Sequence, residues 1–395
     1  MENTAAAAPR RALPGGIWAL GFVSLLMDTS SELVHSLLPV LMTSVLGASM
    51  AAIGVIEGVA EATAAVGKVF SGALSDFVRR RKLLVLLGYG LSACTKPVFP
   101  LAPSLGWVFG ARFVDRLGKG IRGAPRDALV ADLAPPDVRG AAYGLRQALD
   151  SVGAFAGPLL AVAFMALLAD DVRRAMWVAV VPAALCVALI AFGVREPEGA
   201  QPDSSGKRLA LADARRLPFR YWLVVVLGAV FTLARFSEAF LVLRARDVGV
   251  AIGFVPLIMI AMNVVYAAGA YPAGAAADRA SPRSLLIGGL GALMAADLLL
   301  AAAKSPALAF AGAGLWGLHM ALTHGLFAKL VADTAPGELR GTAFGVFNLV
   351  GGGALLLASL IAGALWSVLG PAATFLAGAG FAALAAAGLL FYRPK

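Results

Sequence analysis

The sequence predicts an all-α integral membrane protein whose twelve transmembrane helices form two pseudo-symmetric six-helix bundles. A sixteen-residue phrase, VADLAPPDVRGAAYGL at 130–145, recurs at 331–346 as VADTAPGELRGTAFGV with nine identities, so one unit occurs twice. Each copy contains six apolar runs long enough to cross about 30 Å of hydrocarbon. Of the 395 residues, 60% are hydrophobic and 14% are charged, and the mean hydropathy is +0.83. Soluble globular proteins lie far from these values.

The apolar runs are predicted to be helices, because they are about twenty residues or longer and lack the alternating pattern of a membrane barrel. Between the halves, EPEGAQPDSSGKR is rich in Pro, Gly, Ser and charge, as linkers are. We therefore expect an N-terminal six-helix bundle at 1–194, a cytoplasmic linker at 195–220 and a C-terminal six-helix bundle at 221–395. The predicted spans are 17–46, 50–74, 83–102, 105–131, 141–168, 174–194, 221–245, 251–276, 284–303, 305–331, 342–368 and 372–392.

Lysine and arginine residues concentrate in the termini and loops that would share one side of the membrane, including the run RRRK at 79–82. Because basic loops stay in the cytoplasm, both termini are predicted to be cytoplasmic in a multi-pass protein of the inner or plasma membrane. The net charge of +10 is explained by this asymmetry and by attraction to anionic lipid, not by a nucleic-acid partner. The first span follows Arg10 and Arg11 and is too long for a cleaved signal, so it is predicted to be an uncleaved anchor.

Two motifs, one in the loop after span two and one within span four, resemble those of the major facilitator superfamily. The turn GALSDFVRRRK at 72–82 is similar to the family's loop between spans two and three, with an aspartate at Asp76 and a basic cluster. The stretch ARFVDRLGKG at 111–120 resembles the fourth-span motif, with its intramembrane arginine at Arg112. The resemblance implies the family's twelve-span fold.

A third motif, GAFAGPLLA at 153–161, resembles the family's fifth-span antiporter motif and matches it at Gly153, Gly157 and Pro158. This resemblance favours export in exchange for another solute. The competing explanation is a tightly packed, bent helix interface.

Ionisable residues inside the predicted spans indicate the functional region, because each costs several kcal/mol in a bilayer unless it is paired or hydrated. Asp28, Glu32 and His35 share one helical face of span one. The resemblance places spans one, four, seven and ten around a central cavity, where this face would meet a stripe on span four. The residues of that stripe are Arg112, Asp115, Arg116, Lys119, Arg122, Arg126 and Asp127.

The meeting of these charges has two explanations. The first is a buried ion-pair network that fixes helix packing or locks a gate. The second is proton coupling, in which Asp28 or Glu32, together with Asp115, exchanges a proton while the span-four cations hold or release it. The spacing favours neither Asp28 nor Glu32.

The substrate cavity is predicted to draw residues from five spans. Span seven contributes Arg235 and Glu238, one helical turn apart, as an internal pair or a substrate contact. Span ten contributes His319 and His324, which would bind solute, relay a proton, ligate a metal or simply pack. The predicted cavity residues are His35, Arg112, Arg116, Lys119, Arg235, Glu238, Asn263 and His319.

The repeated phrase is predicted to form a gate latch at the cytoplasmic ends of spans four and ten. Asp132 and Arg139 in the first copy correspond to Asp333 and Arg340 in the second. The alternative is an ordinary Pro-terminated helix followed by a basic turn. The expected partners lie in the loops after spans two and eight, at Asp76, Arg80 and Asp278.

Other chemistry is not indicated. Gly118, Gly120 and Gly123 match the spacing GxGxxG, but they lie within span four instead of between a strand and a helix, so the nucleotide fingerprint does not apply. Cys94 and Cys186 have no spacing suited to a zinc site or a disulfide framework. We expect no cofactor, no metal site and no enzyme activity.

Together these features predict a secondary transporter that moves a small organic solute by alternating access, with proton-coupled efflux as the favoured mode. The span-four cations leave open an importer or exporter of an organic anion or phosphorylated metabolite. A divalent metal ion is a weaker alternative, because tight ligand spacing is missing. A non-transporting membrane sensor and a membrane-embedded enzyme are the alternatives from other classes. The expected partners are the solute, protons and membrane lipid, with a monomer as the default.

Overall fold

Helices make up the regular structure of the residues described. The computed structural model describes residues 13–78, 80–135, 138–195, 211–277, 281–323 and 326–391, and no strand occurs in these ranges. A π-helical segment, Leu41–Val45, extends the first helix. The α-helices are α1 Gly15–Val40, α2 Met50–Val78, α3 Arg81–Thr95, α4 Val98–Leu101, α5 Leu105–Leu133, α6 Arg139–Leu167, α7 Val172–Trp177, α8 Val180–Gly193, α9 Phe219–Leu233, α10 Ala239–Asp247, α11 Leu257–Ala277, α12 Pro282–Ala302, α13 Pro306–Thr323, α14 Leu326–Thr334, α15 Arg340–Leu369 and α16 Pro371–Phe391.

The helix order agrees with the twelve predicted spans. Four spans consist of two consecutive helices each: α3 with α4, α7 with α8, α9 with α10, and α13 with α14. Within the described ranges, nine spans are long and apolar enough to cross a membrane. The remaining three are the fourth, seventh and tenth, where charges or helix breaks interrupt the apolar pattern. The predicted all-α membrane fold is confirmed.

The duplication seen in the sequence is repeated in the helices. Arg81 and Pro282 begin α3 and α12, Leu105 and Pro306 begin α5 and α13, and Arg139 and Arg340 begin α6 and α15. The two members of each pair are 201 residues apart, which is also the offset of the repeated phrase. Equivalent residues of the two halves can therefore be compared by number over these segments.

Local sequence determines several helix ends in the C-terminal half. The side chain of Ser281 accepts a hydrogen bond from the amide of Ser284 at 3.1 Å, and Pro282 occupies the first turn of α12, as expected for a helix N-terminus. Gly370 has a φ of 87° after α15, a conformation that residues with a side chain rarely adopt. Pro371 then begins α16 at once, so the last two spans are joined by a tight turn.

The two halves contact one another through α2 and α15, α6 and α11, and α1 and α10. Two polar contacts between the halves occur near the end of the bundle opposite the termini. There, Arg246 donates a hydrogen bond to Thr43 at 2.8 Å, and the amide of Ala51 donates to Ser367 at 2.9 Å. Apolar residues of both halves, such as Leu37 and Phe240, belong to one continuous core.

The seventh span differs from its prediction as one continuous helix. It is broken between Leu233, the last residue of α9, and Ala239, the first of α10. Arg235 and Glu238 lie in this break, so their predicted spacing of one helical turn is wrong. The hydroxyl of Ser237 accepts a hydrogen bond from the amide of Ala239 at 3.3 Å, a local bond that competes with helix continuation.

Candidate functional site

A cavity of about 940 Å³ lies between the two halves. Its lining comes from the first, fourth, seventh and tenth spans, with further residues from α2, α6, α11 and α15. From the middle of the bundle, near His35, it extends towards the end that carries the termini, near Asp127.

Carboxylates and cationic groups are equally numerous in the cavity lining. The six carboxylates are Asp28, Glu32, Glu61, Asp127, Asp150 and Glu238. The six cationic residues are Lys68, Arg116, Lys119, Arg122, Arg126 and Arg235. The cavity therefore offers sites of both signs and no large net charge.

Three of these carboxylates have no direct partner. Among the described residues, no hydrogen-bond donor or ion-pair cation contacts the carboxylate of Asp28, Glu32 or Glu238. The nearby cation Lys119 interacts electrostatically with Asp28 and Glu32 without forming an ion pair at contact distance. These carboxylates are consequently free to meet water or solute in the cavity.

Behind the cavity lining, Arg112 and Glu57 form a buried ion pair between α5 and α2. The guanidinium contacts both carboxylate oxygens, Nε to Oε1 at 3.2 Å and Nη2 to Oε2 at 2.7 Å. Nη2 of Arg112 also lies 2.8 Å from Nδ1 of His35. The hydroxyl of Ser237 donates to Glu57 at 3.2 Å, which ties the seventh-span break to the N-terminal half.

Lys96, which directly follows α3, and Asp115 on α5 form a second buried pair. Nζ of Lys96 lies 2.9 Å from Oδ1 of Asp115 and donates to the hydroxyl of Ser31 at 3.1 Å. No helical spacing predicts this pairing, because the two residues are 19 positions apart and belong to different spans. The residue after Asp115 on α5, Arg116, pairs with Glu61 at 3.3 Å.

The residues of the predicted antiporter motif bring α6 close to the acidic face of α1. A Cβ atom at Gly157 would lie 2.7 Å from the carbonyl oxygen of Thr29 and 2.8 Å from the Cβ of Glu32. A Cβ at Gly153 would lie 3.0 Å from that of Asp28. Only glycine fits at these two positions, and Pro158 follows them, buried within α6. The motif thus packs directly behind the two unpaired carboxylates of α1.

The structure places some of the predicted cavity and proton-coupling residues in the cavity lining and buries the others behind it. Eight of them line the cavity: Asp28, Glu32, His35, Arg116, Lys119, Arg235, Glu238 and Asn263. Arg112 and Asp115 lie behind the lining in the buried pairs described above. His319 is fully buried, and its Nδ1 lies 2.8 Å from the carbonyl oxygen of Gly289. His324 lies outside the described residues.

In the predicted latch, Asp132 forms an ion pair with Arg81, at the start of α3. Sequence analysis did not single out Arg81, although it belongs to the basic run that follows α2. The side chain of Arg139 donates to the carbonyl oxygen of Ala134 at 3.4 Å. Three further latch residues are exposed: Arg80, Asp333 and Arg340. The side chain of Asp76 and all of Asp278 lie outside the described part of the chain.

Comparison with known proteins agrees with this architecture. An uncharacterised MFS-type transporter of Methanocaldococcus jannaschii is 34% identical over 392 residues, covering 96% of each chain. An uncharacterised protein of Mycobacterium tuberculosis is 30% identical over 352 residues, covering 86% of this chain and 85% of its own. A solved bacterial homologue of the human lysosomal transporter Spinster, inward-facing and unoccupied, has a TM-score of 0.75 at 16% identity, covering 98% of this chain and 100% of its own.

The solved nucleoside transporter NupG has a TM-score of 0.76 at 13% identity, covering 95% of this chain and 99% of its own. At such low identity these two structures indicate the shared fold and no common substrate. The Major Facilitator Superfamily profile matches residues 20–244 and 236–395. The chain therefore belongs to the major facilitator superfamily of membrane transporters.

Proposed function

We propose that the protein exports a small organic solute across the cell membrane by alternating access, in exchange for protons. The observation that carries this proposal is the set of three cavity carboxylates, Asp28, Glu32 and Glu238, that lack direct partners among the described residues. A carboxylate held in an ion pair keeps its charge, whereas one that faces a hydrated cavity can gain or lose a proton as its surroundings change.

The position of Asp28 and Glu32 suits an exchange of proton for solute. Both side chains face the cavity, both are near Lys119, and α6 packs against their backbone through two glycines. A bound cationic solute would stabilise the charged carboxylates, and a bound proton would remove that attraction. Proton and solute would then compete for one site, which is the requirement for antiport.

The direction of transport follows from the predicted topology. With both termini in the cytoplasm, the cavity extends from the middle of the bundle towards the cytoplasm, and the contacts Arg246–Thr43 and Ala51–Ser367 close the opposite end. In this state solute would enter the cavity from the cytoplasm. Opening of the opposite end would then release it outside the cell.

A second candidate function is transport of an organic anion. It is favoured by Arg235, which lines the cavity from the seventh-span break and whose Nε has no hydrogen-bond partner among the described residues. Asn263 lines the same cavity from α11. An anionic group would satisfy the guanidinium of Arg235, so the cavity polarity alone is compatible with either sign of solute.

Thermal unfolding of the purified protein with a panel of lipophilic amines, zwitterions and organic anions separates the two candidates. A ligand at about 100 times its Kd stabilises the native state by about 2.7 kcal/mol. The proposal predicts stabilisation by amines that is lost in Glu32→Gln and retained in Arg235→Gln. Stabilisation by anions alone, lost in Arg235→Gln, would support the second candidate.

Uptake of the identified ligand into proteoliposomes then tests transport itself. The matched control is Asp171→Asn, because Asp171 caps α7, its side chain is 40% exposed, and it lies outside the cavity lining. Accumulation that equals the level of protein-free liposomes would contradict a transport function.

A further inference from the structure

A pair of unpartnered polar side chains lies in the C-terminal half, apart from the cavity carboxylates. Asp297 on α12 is fully buried, and neither of its carboxylate oxygens has a hydrogen-bond partner among the described residues. Trp316 on α13 is also buried, and its Nε1 likewise lacks a partner there. The indole N–H of Trp316 can only donate a hydrogen bond, and an ionised Asp297 carboxylate can only accept one.

The internal repeat gives these two residues an equivalent pair in the N-terminal half. With the offset of 201 residues that relates α3 to α12 and α5 to α13, Asp297 corresponds to Lys96 and Trp316 to Asp115. Lys96 and Asp115 form an ion pair at 2.9 Å. Each half thus carries one hydrogen-bond donor and one acceptor at these two positions. Only the N-terminal pair, Lys96 and Asp115, is in contact.

The surroundings of Asp297 leave room for a carboxyl group and place it next to the cavity wall. A Cβ atom at Gly378 on α16 would lie 2.6 Å from Oδ2 of Asp297 and 3.0 Å from the ring of Phe236. Phe236 lies in the seventh-span break, and its ring centroid is 5.3 Å from that of Trp316. Both aromatic residues line the cavity, so they separate Asp297 from its contents.

Few charged groups are available to neutralise Asp297. On α13 the only titratable residue is His319, whose Nδ1 contacts the carbonyl oxygen of Gly289, and α16 has no titratable residue. Arg235 and Glu238 flank Phe236 in the break. The short helix α14 carries Lys329 in its middle and Asp333 near its end, and Arg283 is the second residue of α12. Arg244 of α10 lies at the other end of α12, where its guanidinium donates to the carbonyl oxygens of Leu300 and Ala303.

Burying an ionised carboxylate without a partner inside a membrane-spanning bundle costs far more free energy than burying a neutral carboxyl group. We propose that Asp297 is a second proton-carrying group, protonated in this state and deprotonated when Nε1 of Trp316 reaches it. The O–H bond of the carboxyl group breaks, the proton passes to water in the cavity, and the carboxylate accepts the indole N–H. A change in the seventh-span break would move Phe236 aside and open this route.

This inference goes beyond the proposed antiport and does not depend on Asp28 or Glu32. It applies equally to a transporter of amines or of anions, because the group lies outside the cavity lining. Its test therefore needs neither a solute nor a transport assay.

Infrared spectroscopy of the lipid-reconstituted protein, with aspartate carboxyl groups labelled with ¹³C, tests the protonation state directly. The proposal predicts a protonated-carboxyl band at neutral pH that disappears in Asp297→Asn and persists in the control Asp171→Asn. An unchanged band in Asp297→Asn would overturn it, and so would the absence of any such band in the unmodified protein.

A second variant tests the role of the indole and remains informative if Asp297→Asn does not fold. In Trp316→Phe the aromatic packing is retained but the N–H donor is lost. Because a hydrogen bond to a charged group stabilises the charged form, we expect the band to persist to a pH higher by about one unit or more. A titration of the band that coincides with that of the unmodified protein would contradict the role of Trp316.

Discussion

The guanidinium of Arg112 on α5 donates hydrogen bonds to both carboxylate oxygens of Glu57 on α2, at 3.2 and 2.7 Å. Both side chains are almost fully buried, with exposed fractions of 2% and 0%. The pair joins two spans of the N-terminal half, and Glu57 also accepts a hydrogen bond from Ser237 of the C-terminal half. It therefore belongs to the framework that holds the cavity and not to the cavity lining.

Replacing Glu57 with Gln is expected to destabilise the protein by about 3–5 kcal/mol, because the change leaves the buried guanidinium of Arg112 without its counter-charge. Unfolding in detergent measures this loss. The matched control is Arg174→Gln, which breaks an exposed pair with Asp171 and should change the free energy of unfolding by about 1 kcal/mol or less. Equal effects of the two substitutions would contradict the framework role.

The Lys96–Asp115 pair is expected to show strong coupling in a double-mutant cycle. Lys96→Met leaves Asp115 with only its longer ion pair to Arg112, at 3.9 Å, and Asp115→Leu leaves the buried Lys96 without its acidic partner. The double variant removes both charges and keeps the volume similar. We expect the double variant to be more stable than either single variant. If the stability loss of the double variant equals the sum of the two single losses, the two side chains do not stabilise each other.

The contact between α1 and α6 is expected to tolerate no side chain at Gly157. Gly157→Ala would place a Cβ 2.7 Å from backbone atoms of Thr29 and Leu33, which costs about 1–3 kcal/mol if the helices must separate. Gly144→Ala is the control on the same helix, because nothing lies within 4 Å of its Cβ. There the helix propensity of Ala predicts no loss of stability. A comparable loss of thermal stability in both variants would refute the close-packing explanation.

The Arg81–Asp132 pair is expected to influence the gate more than stability. The two residues lie in the same half, so their pairing competes with any partner of Asp132 across the gate. If the latch operates, Arg81→Gln frees Asp132 for that partner and slows access to the cavity. Asp132→Asn weakens both the pair with Arg81 and any contact across the gate, so it should speed access to the cavity.

Access can be measured by the alkylation rate of Ser151→Cys, a cavity-lining position, in a background without Cys94 and Cys186. The exposed pair should contribute about 1 kcal/mol or less to stability in either variant. Alkylation rates that do not change in either variant would count against the latch.

The sequence predicted the fold well because hydropathy and repetition are properties of the chain itself. The offset of the phrases beginning at Val130 and Val331 is the offset of the helix starts. The break in the seventh span was not predictable, because LARFSEAF contains no proline or glycine. Within the break, Ser237 contacts the amide of Ala239 and the carboxylate of Glu57 on a distant helix, and local sequence does not encode the second contact.

Sequence spacing also identified the charged spans, but it did not divide their residues between cavity and framework. Arg112 and Arg116 lie one turn apart on α5, and yet Arg112 is enclosed by Glu57 and His35 while Arg116 reaches the cavity. That division depends on which neighbouring helix each side chain meets. The pairing of Lys96 with Asp115 was missed for the same reason.

The central claim is that solute and protons move in opposite directions through the carboxylates of α1. It is tested most directly by recording internal pH in proteoliposomes while a gradient of the solute identified by thermal unfolding is imposed. The account predicts solute-driven proton movement in the unmodified protein and in Asp171→Asn, and its loss in the double variant Asp28→Asn, Glu32→Gln. Proton movement at the unmodified rate in the double variant, or solute transport without any proton movement, would contradict it.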